Sequence, residues 1–547
     1  VDRAFTAVYT LSVGSTPPSG LMSALRRYWG YSSFRPLQER IVGSLVAGRD
    51  ACVVMPTGGG KSLCYQLPAA MLAEKTAIVI SPLIALMQDQ VGQLTQMGIS
   101  AAFVNSSIKE AERSAVMGES RLGKYRLVYL SPERLLRPET IDWLRGVPVS
   151  FFAIDEAHCI SEWGHEFRPE YRKLNSLREH FPDRPIAAFT ASATRRVRHD
   201  IIDQLKLQAP DKYIASFHRP NLRYVVKACD GASQDDLLVT ALRHYTGCNV
   251  IVYAPTIKRV GETVDYLDEK GIPAIGYHGK MDNETRRRNQ EMWMSDDVRV
   301  LVGTVAFGLG INKADVRAVI HLSLPKSIEQ FYQEAGRAGR DGLPADCLLL
   351  WRKRDAGLLA HFIEQITDPE EKDRGWQRYR EIRGFVETNV CRHRRICLHF
   401  GEVPKWEACQ ACDVCGYLPE WLNRAATMSP ARGKKRGPTP AAAPPSAAPA
   451  WQRQKPQPAA GAPVNAGLRE HLREWRRNTA KEQGVPAFVV LHDTTLDEIC
   501  RRGPSSPAEL LEVAGIGERK LEVYGRPILD ALRQFRGEQA RAAAGKE

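Results

Sequence analysis

The sequence predicts an α/β fold: two tandem parallel-sheet domains, a helical metal-binding segment, a linker and a small all-α bundle. Three observations carry this. Up to about residue 351, short continuous apolar runs alternate with helical stretches. Strands buried on both faces of a parallel sheet read this way, whereas half-exposed strands alternate. Five of the 12 cysteines fall between Cys391 and Cys415. From Arg424 to Ala466 the chain turns to Ala, Pro and Gly with no apolar period.

Val1–Gly20 lacks a basic stretch followed by an apolar one, so it reads as a disordered leader rather than a secretory signal. The first domain, 21–208, carries strands at Ala51–Met55, Ala77–Ser81, Leu127–Leu130, Phe151–Ile154 and Ile186–Phe189. The second, 209–351, carries Val250–Tyr253, Ala274–Tyr277, Val298–Gly303, Ala318–Leu322 and Cys347–Trp351. Residues 352–420 are helical and end in the cysteine cluster, 421–466 form the linker, 467–540 the bundle and 541–547 a tail. In the bundle, Leu468, Leu472 and Trp475 mark one helical face. Ser506-Pro507-Ala508-Glu509 supplies an N-cap, a first-turn proline and a capping-box Glu ahead of Leu510, Leu511 and Val513. A last helix carries Leu521, Tyr524, Ile528, Leu532 and Phe535.

The 547 residues carry a formal net charge of +13, which favours a polyanionic partner such as nucleic acid. No apolar run is long enough to span a membrane. Seven cysteines are scattered singly, as in a reducing cytosol.

Met55–Ser62 reads M-P-T-G-G-G-K-S. After Thr57, the glycines Gly58, Gly59 and Gly60 let backbone N–H groups close around phosphates, Lys61 reaches the β/γ-phosphates, and the Ser62 hydroxyl can sit on Mg²⁺. The strict pattern asks for glycine where Met55 stands. Asp155-Glu156-Ala157-His158 ends a buried strand, so Asp155 can hold the same Mg²⁺ and Glu156 can orient the attacking water. The pair reads as an ATP-hydrolysing site. Across the cleft of a two-lobed ATPase, Arg337 and Arg340, three apart on one helix face, would reach the γ-phosphate. Ser192-Ala193-Thr194 follows a strand at the cleft and suits coupling of hydrolysis to lobe motion. Thr304–Lys313, with Gly308 and Gly310, offers backbone that could approach phosphate or DNA.

The chain resembles the RecQ family of superfamily-two helicases. The resemblance rests on Tyr31, Phe34–Gln38, the phosphate loop, Asp155–His158, Ser192–Thr194, Ser216–Leu222 and Gln333–Gly342, and covers residues 21 to about 415 and 467–537. It implies RecA-like lobes, with Tyr31 and Arg35 sandwiching adenine and Gln38 reading its edge. An amide is a bidentate match for that edge, and aromatic and guanidinium planes stack on a base. It implies further that His158 takes part in coupling, and that the loop with Trp163, His165, Phe167 and Arg168 senses single-stranded DNA and triggers hydrolysis. Base stacking on such a loop is sequence-tolerant.

Cys391, Cys409, Cys412 and Cys415 are spaced C-x17-C-x2-C-x2-C, which suits a closed four-thiolate structural Zn²⁺ site. Cys397 falls in a helical stretch and reads as packing. Family members carry a winged helix of about a hundred residues after this point, for which the segment before the linker leaves no room. The linker holds seven Lys/Arg and no Asp/Glu from Arg424 to Ala466, over half the net charge, which serves either phosphate contact or solubility. The bundle resembles an HRDC domain through its helices and the Gly515–Lys520 turn. A G-x-G turn opening a helix can present N–H groups to phosphate; a protein contact is the alternative.

The leading expectation is an ATP- and Mg²⁺-dependent 3′→5′ DNA helicase with structural Zn²⁺, acting on single-stranded and forked DNA in recombination, repair and fork maintenance. Single-strand-binding protein or a topoisomerase are partners implied by the resemblance, and the location is cytoplasmic, nucleoid-associated if bacterial. A second expectation is a strand-annealing or fork-remodelling ATPase with weak unwinding. A third, an RNA helicase, fits the lobes but not the adenine segment and cysteines.

Overall fold

The computed structural model describes residues 20–544 except 106–107, 165, 230–232, 306–312, 423–464 and 484–486. The expected leader and nearly all of the linker lie outside the described residues, as do His165, Gly308 and Gly310.

The first lobe is built on strands β1 (Ala51–Val54), β2 (Thr76–Ile80), β3 (Ala101–Val104), β4 (Leu127–Leu130), β5 (Val149–Ile154), β6 (Ile186–Thr190) and β7 (Asp211–Ile214). They form one sheet in the order β3-β4-β2-β5-β6-β1-β7, and all its pairs are parallel. The second sheet contains β8 (Leu222–Ala228), β9 (Asn249–Tyr253), β10 (Ala274–Tyr277), β11 (Val300–Gly303), β12 (Val316–His321) and β13 (Ala345–Trp351). Its order is β10-β11-β9-β12-β13-β8, again parallel throughout. Helices cover both sheets, and β1, β2, β4, β6, β9, β11 and β13 are buried along their whole length. That is why the apolar runs are continuous.

Two expected boundaries shift. β7 pairs with β1, Ala51 opposite Asp211, so the first sheet runs past residue 208. As an edge strand it exposes Lys212 and Ile214, and its sequence lacks a continuous apolar run. The linker does not begin at 421, because Trp421 and Leu422 are buried in the core of the second lobe.

The helices Lys353–Glu364, Pro369–Glu387 and Arg392–His399 lead into the cysteine cluster. This segment covers the open edge of the second sheet: Tyr224 N–H of β8 donates to Ala411 O at 3.1 Å and Val226 N–H to Asp413 Oδ2 at 3.2 Å. Phe400 stacks on Phe217, between the lobes, with centroids 4.3 Å apart.

The terminal bundle comprises Ala466–Gln483, Ala487–Val490, Asp493–Arg502, Pro507–Leu511 and Glu518–Ala544 around Leu472, Leu496, Ile499, Leu510, Ile516 and Ile528. Ser506 caps its helix as expected, accepting from Glu509 N–H at 3.3 Å. Leu511 points outward, and the last helix continues past residue 540. The bundle docks on both lobes. A Cβ on Gly517 would stand 2.7 Å from Tyr28 O, so the Gly515–Gly517 turn lies directly on the end of helix Leu21–Trp29. Of the two expectations for this turn, phosphate or protein, it faces the first lobe of the same chain. On the second lobe, Arg473 reaches Asp296 at 2.8 Å, and Asp296 also holds Lys313 at 2.7 Å.

Candidate active site

β5, β6 and β1 are neighbours in the first sheet, so their carboxyl ends bring Asp155–His158, Ser192–Thr194 and the phosphate loop to one edge. The loop runs into helix Lys61–Met71, which starts at Gly60 with φ 83°. A Cβ at Gly60 would collide with the Gln38 amide, whose Nε2 donates to Gly60 O at 3.2 Å. Gln38 Oε1 accepts from Arg35 N–H at 2.8 Å, and Arg35 Nη1 donates to Gly58 O. Arg35 and Gln38 thus rest on the phosphate loop, while Tyr31 is 39% exposed.

Asp155 is buried at the end of β5. Burial, then the neighbouring Glu156 carboxylate, push its pKa up to about 6, against the pull of Lys61. A buried carboxylate disfavoured in its charged form is a ready ligand for a divalent cation. Glu156 adopts φ 48°, a left-handed conformation that costs a non-glycine residue about 1 kcal/mol or more. Its carboxylate lies 3.3 Å from His158 Nδ1, which is also 3.0 Å from Thr190 Oγ1.

The second lobe closes this edge. Helix Ile328–Ala335 ends at Gly336, and the following turn carries Arg337 and Arg340. A Cβ at Gly58 would meet Arg340 Cγ at 3.3 Å, and one at Gly336 would meet Thr57 Cβ at 3.5 Å. Gln333 Nε2 donates to Ser192 Oγ at 2.9 Å. Burial, then Arg337 and Arg219, lower the Arg340 pKa to about 9. Three guanidiniums crowded in a half-buried cleft favour a polyanion such as a nucleotide phosphate chain.

In the cysteine cluster the sulfurs of Cys391, Cys409, Cys412 and Cys415 all lie within 4.8 Å of one another, with Cys391–Cys412 and Cys409–Cys415 at 4.0 Å. A tetrahedral Zn²⁺ with sulfurs at about 2.3 Å has edges of roughly 3.8 Å, so the donor set fits that ion. Backbone N–H groups of Arg392 and Ala411 donate to Cys412 Sγ and Cys409 Sγ at 3.4 and 3.3 Å, which favours thiolates. Cys397 is fully buried in helix Arg392–His399 and stands apart from the cluster, as packing.

Four families match in chain order: DEAD/DEAH box helicase over 35–201, helicase conserved C-terminal domain over 233–342, RecQ zinc-binding over 353–416 and HRDC domain over 465–532. The chain is 33% identical to the ATP-dependent DNA helicase RecQ of Pasteurella multocida, covering 94% of each chain. It is 35% identical to that of Bacillus subtilis, covering 94% of this chain and 98% of the relative. The chain belongs to the RecQ helicase family. The zinc-binding match ends at residue 416 and the HRDC match begins at 465. Among solved structures, S. cerevisiae Dbp5 bound to RNA and ADP BeF3 shares the fold, with a TM-score of 0.51, 16% identity and coverage of 66% of this chain and 97% of that one.

In this RecQ-family chain the aromatic loop after β5 is not open. Arg196 lies 3.0 Å from the Trp163 ring centroid, and Arg374 of helix Pro369–Glu387 lies 5.6 Å from it. Phe167 and Arg168 are half-buried. The sequence singles out Trp163 but not its two arginine partners, over thirty and two hundred residues away. Arg219, also unmarked beyond its place in the S-F-H-R-P-N-L segment, reaches both lobes.

Proposed function

We propose that the protein is an ATP- and Mg²⁺-dependent DNA helicase that translocates 3′→5′ on single-stranded DNA and unwinds duplexes. The closure of the Arg337–Arg340 turn on the phosphate loop, with Arg340 against Gly58, carries this reading. Lys61 and the glycine-loop amides would hold the nucleotide phosphates, Ser62 and Asp155 the Mg²⁺, and Glu156 the attacking water. Arg337 and Arg340 would balance charge developing on the γ-phosphate. Tyr31, Arg35 and Gln38 would bind adenine. Ser192, Thr194 and His158, with Gly308 and Gly310, would couple hydrolysis to lobe movement. Zn²⁺ on the four thiolates would hold the fold only, since no ligand position is left open.

Trp163, His165, Phe167 and Arg168 would contact DNA, with Trp163 leaving Arg196 and Arg374 to stack on a base. The domain limits would follow the family matches, with the first lobe extended to β7. Recombination, repair and fork maintenance are the proposed roles, near the nucleoid, with single-strand-binding protein or a topoisomerase as partners. The relatives' printed names support the helicase assignment.

The test is ATP hydrolysis with and without single-stranded DNA, beside Lys61→Ala and Glu156→Gln. DNA-stimulated turnover lost in both variants supports the reading; turnover indifferent to DNA contradicts it.

A further inference from the structure

Residues 215–221 connect β7 of the first sheet to β8 of the second. At one end Ala215 N–H donates to Val54 O at 2.9 Å, so it is still anchored beside the phosphate loop. At the other, Asn221 Nδ2 donates to Gly339 O at 2.8 Å and Leu343 O at 3.0 Å, anchoring it to the turn with Arg337 and Arg340. Between these anchors stands Arg219. Its Nη1 donates to Thr57 O at 2.9 Å and Gly336 O at 3.4 Å, and its Nη2 donates to Ala338 O at 3.2 Å and Gly339 O at 3.1 Å.

One guanidinium therefore touches backbone carbonyls of both halves of the nucleotide site. Thr57 O belongs to the phosphate loop. Gly336, Ala338 and Gly339 belong to the turn after helix Ile328–Ala335 and turn their carbonyls toward Arg219. A planar fork with several fixed donors can serve both sets at once; a lysine ammonium on a flexible stem cannot hold the same geometry. All four acceptors are main-chain atoms, so substituting neighbouring side chains cannot supply the link. Only the bond to Thr57 O crosses between the lobes, which distinguishes Arg219 from a residue that merely packs the second one.

The zinc-binding segment steadies the same crossing. Glu402 accepts from Ser216 Oγ at 2.7 Å and from Phe217 N–H at 2.8 Å, two residues before Arg219.

We propose that Arg219 is a positioning residue for hydrolysis: its guanidinium sets the distance between the phosphate loop and the arginine turn, so that Arg337 and Arg340 meet the γ-phosphate only when Thr57 O is engaged. This rests on the ATPase reading above. An arginine displaced by about 1 Å from a transferring phosphoryl group loses roughly a hundredfold in rate, whereas nucleotide binding depends mainly on loop contacts made without it.

The test compares wild type, Arg219→Lys and Arg219→Ala in steady-state ATP hydrolysis at saturating single-stranded DNA, with thermal melting of each. ADP binding is measured beside binding of ADP–aluminium fluoride, which mimics the transferring group. The inference expects kcat in Arg219→Lys to fall roughly 30- to 100-fold with KM for ATP within about threefold. ADP affinity should hold while the preference for ADP–aluminium fluoride is lost. Millimolar guanidinium should restore part of the rate in Arg219→Ala and none in Lys61→Ala.

A folded Arg219→Lys with wild-type kcat would overturn the inference. So would a loss explained entirely by a smaller folded fraction, with kcat per folded molecule and analogue preference unchanged. If Arg219→Ala does not fold, Arg219→Lys alone decides. A wild type that hydrolyses no ATP would instead strike the ATPase reading itself, so the two failures are told apart in one assay.

Discussion

Gln333 and Ser192 face each other across the lobe boundary, and the Gln333 amide donates to the Ser192 hydroxyl at 2.9 Å. Gln333 lies one turn before Arg337, and Ser192 follows β6, between the strands that carry the phosphate loop and Asp155. The bond ties a segment of one lobe to a segment of the other. Gln333→Ala removes an interaction worth about 1 kcal/mol. The expected outcome is DNA-stimulated ATP turnover within roughly fivefold of wild type and a larger loss of strand separation per ATP. Measuring both rates on one preparation checks this; an equal fall in both would show that the bond serves hydrolysis rather than coupling.

Metal removal should act on the zinc-binding segment and on the crossing between the lobes. Glu402 holds Ser216 and Phe217, and Phe400 stacks on Phe217. Complete chelation should therefore expose residues 391–415 to protease and speed hydrogen exchange at 215–221, while binding of a nucleotide analogue persists. Protease resistance of 391–415 after verified metal loss would refute the structural role.

The docked terminal bundle offers a third prediction. Arg473 is only 5% exposed on its side chain and pairs with Asp296, which is 3% exposed. Removing Arg473 leaves Asp296 to Lys313 alone and takes away the ion pair that ties the bundle to the second lobe. Arg473→Ala should release the bundle from the second lobe, and Gly517→Ala from the first, where its Cβ would press on Tyr28 O. Small-angle X-ray scattering should report a larger radius of gyration for each. An unchanged radius would mean that docking does not depend on these contacts.

Lys520 sets a pH dependence. It is 4% exposed, and burial lowers its pKa from 10.5 to about 8. Below pH 8 it is charged both folded and unfolded, and the folded bundle bears the full burial cost. Between pH 8 and 10.5 the folded state loses the proton first, so the cost fades as pH rises. The shift corresponds to about 3 kcal/mol. Lys520→Met should slow proteolysis of residues 466–544 at pH 7, with much of that advantage gone by pH 10. An equal advantage at both pH values would place its origin in packing rather than charge.

Much of the architecture was legible because parallel strands buried on both faces leave continuous apolar runs, as at Leu127–Leu130. β3, β7 and β8 left weaker marks. All three are edge strands, and β7 and β8 carry exposed residues. The phosphate loop, Asp155–Glu156 and the four cysteines were legible because their chemistry demands fixed residue types at short spacing. Arg219, the Trp163 partners and the bundle's docking on Asp296 were not. Each joins segments far apart in the chain through main-chain carbonyls or long side chains, and no local pattern records such a meeting.

The most direct test of the central claim is ATP-dependent separation of a 3′-tailed DNA duplex, beside a 5′-tailed duplex and a Lys61→Ala control. Separation of the 3′-tailed substrate alone, lost in Lys61→Ala, is the expected result. DNA-stimulated hydrolysis with neither duplex separated would contradict it, and would leave a strand-annealing or fork-remodelling ATPase in its place.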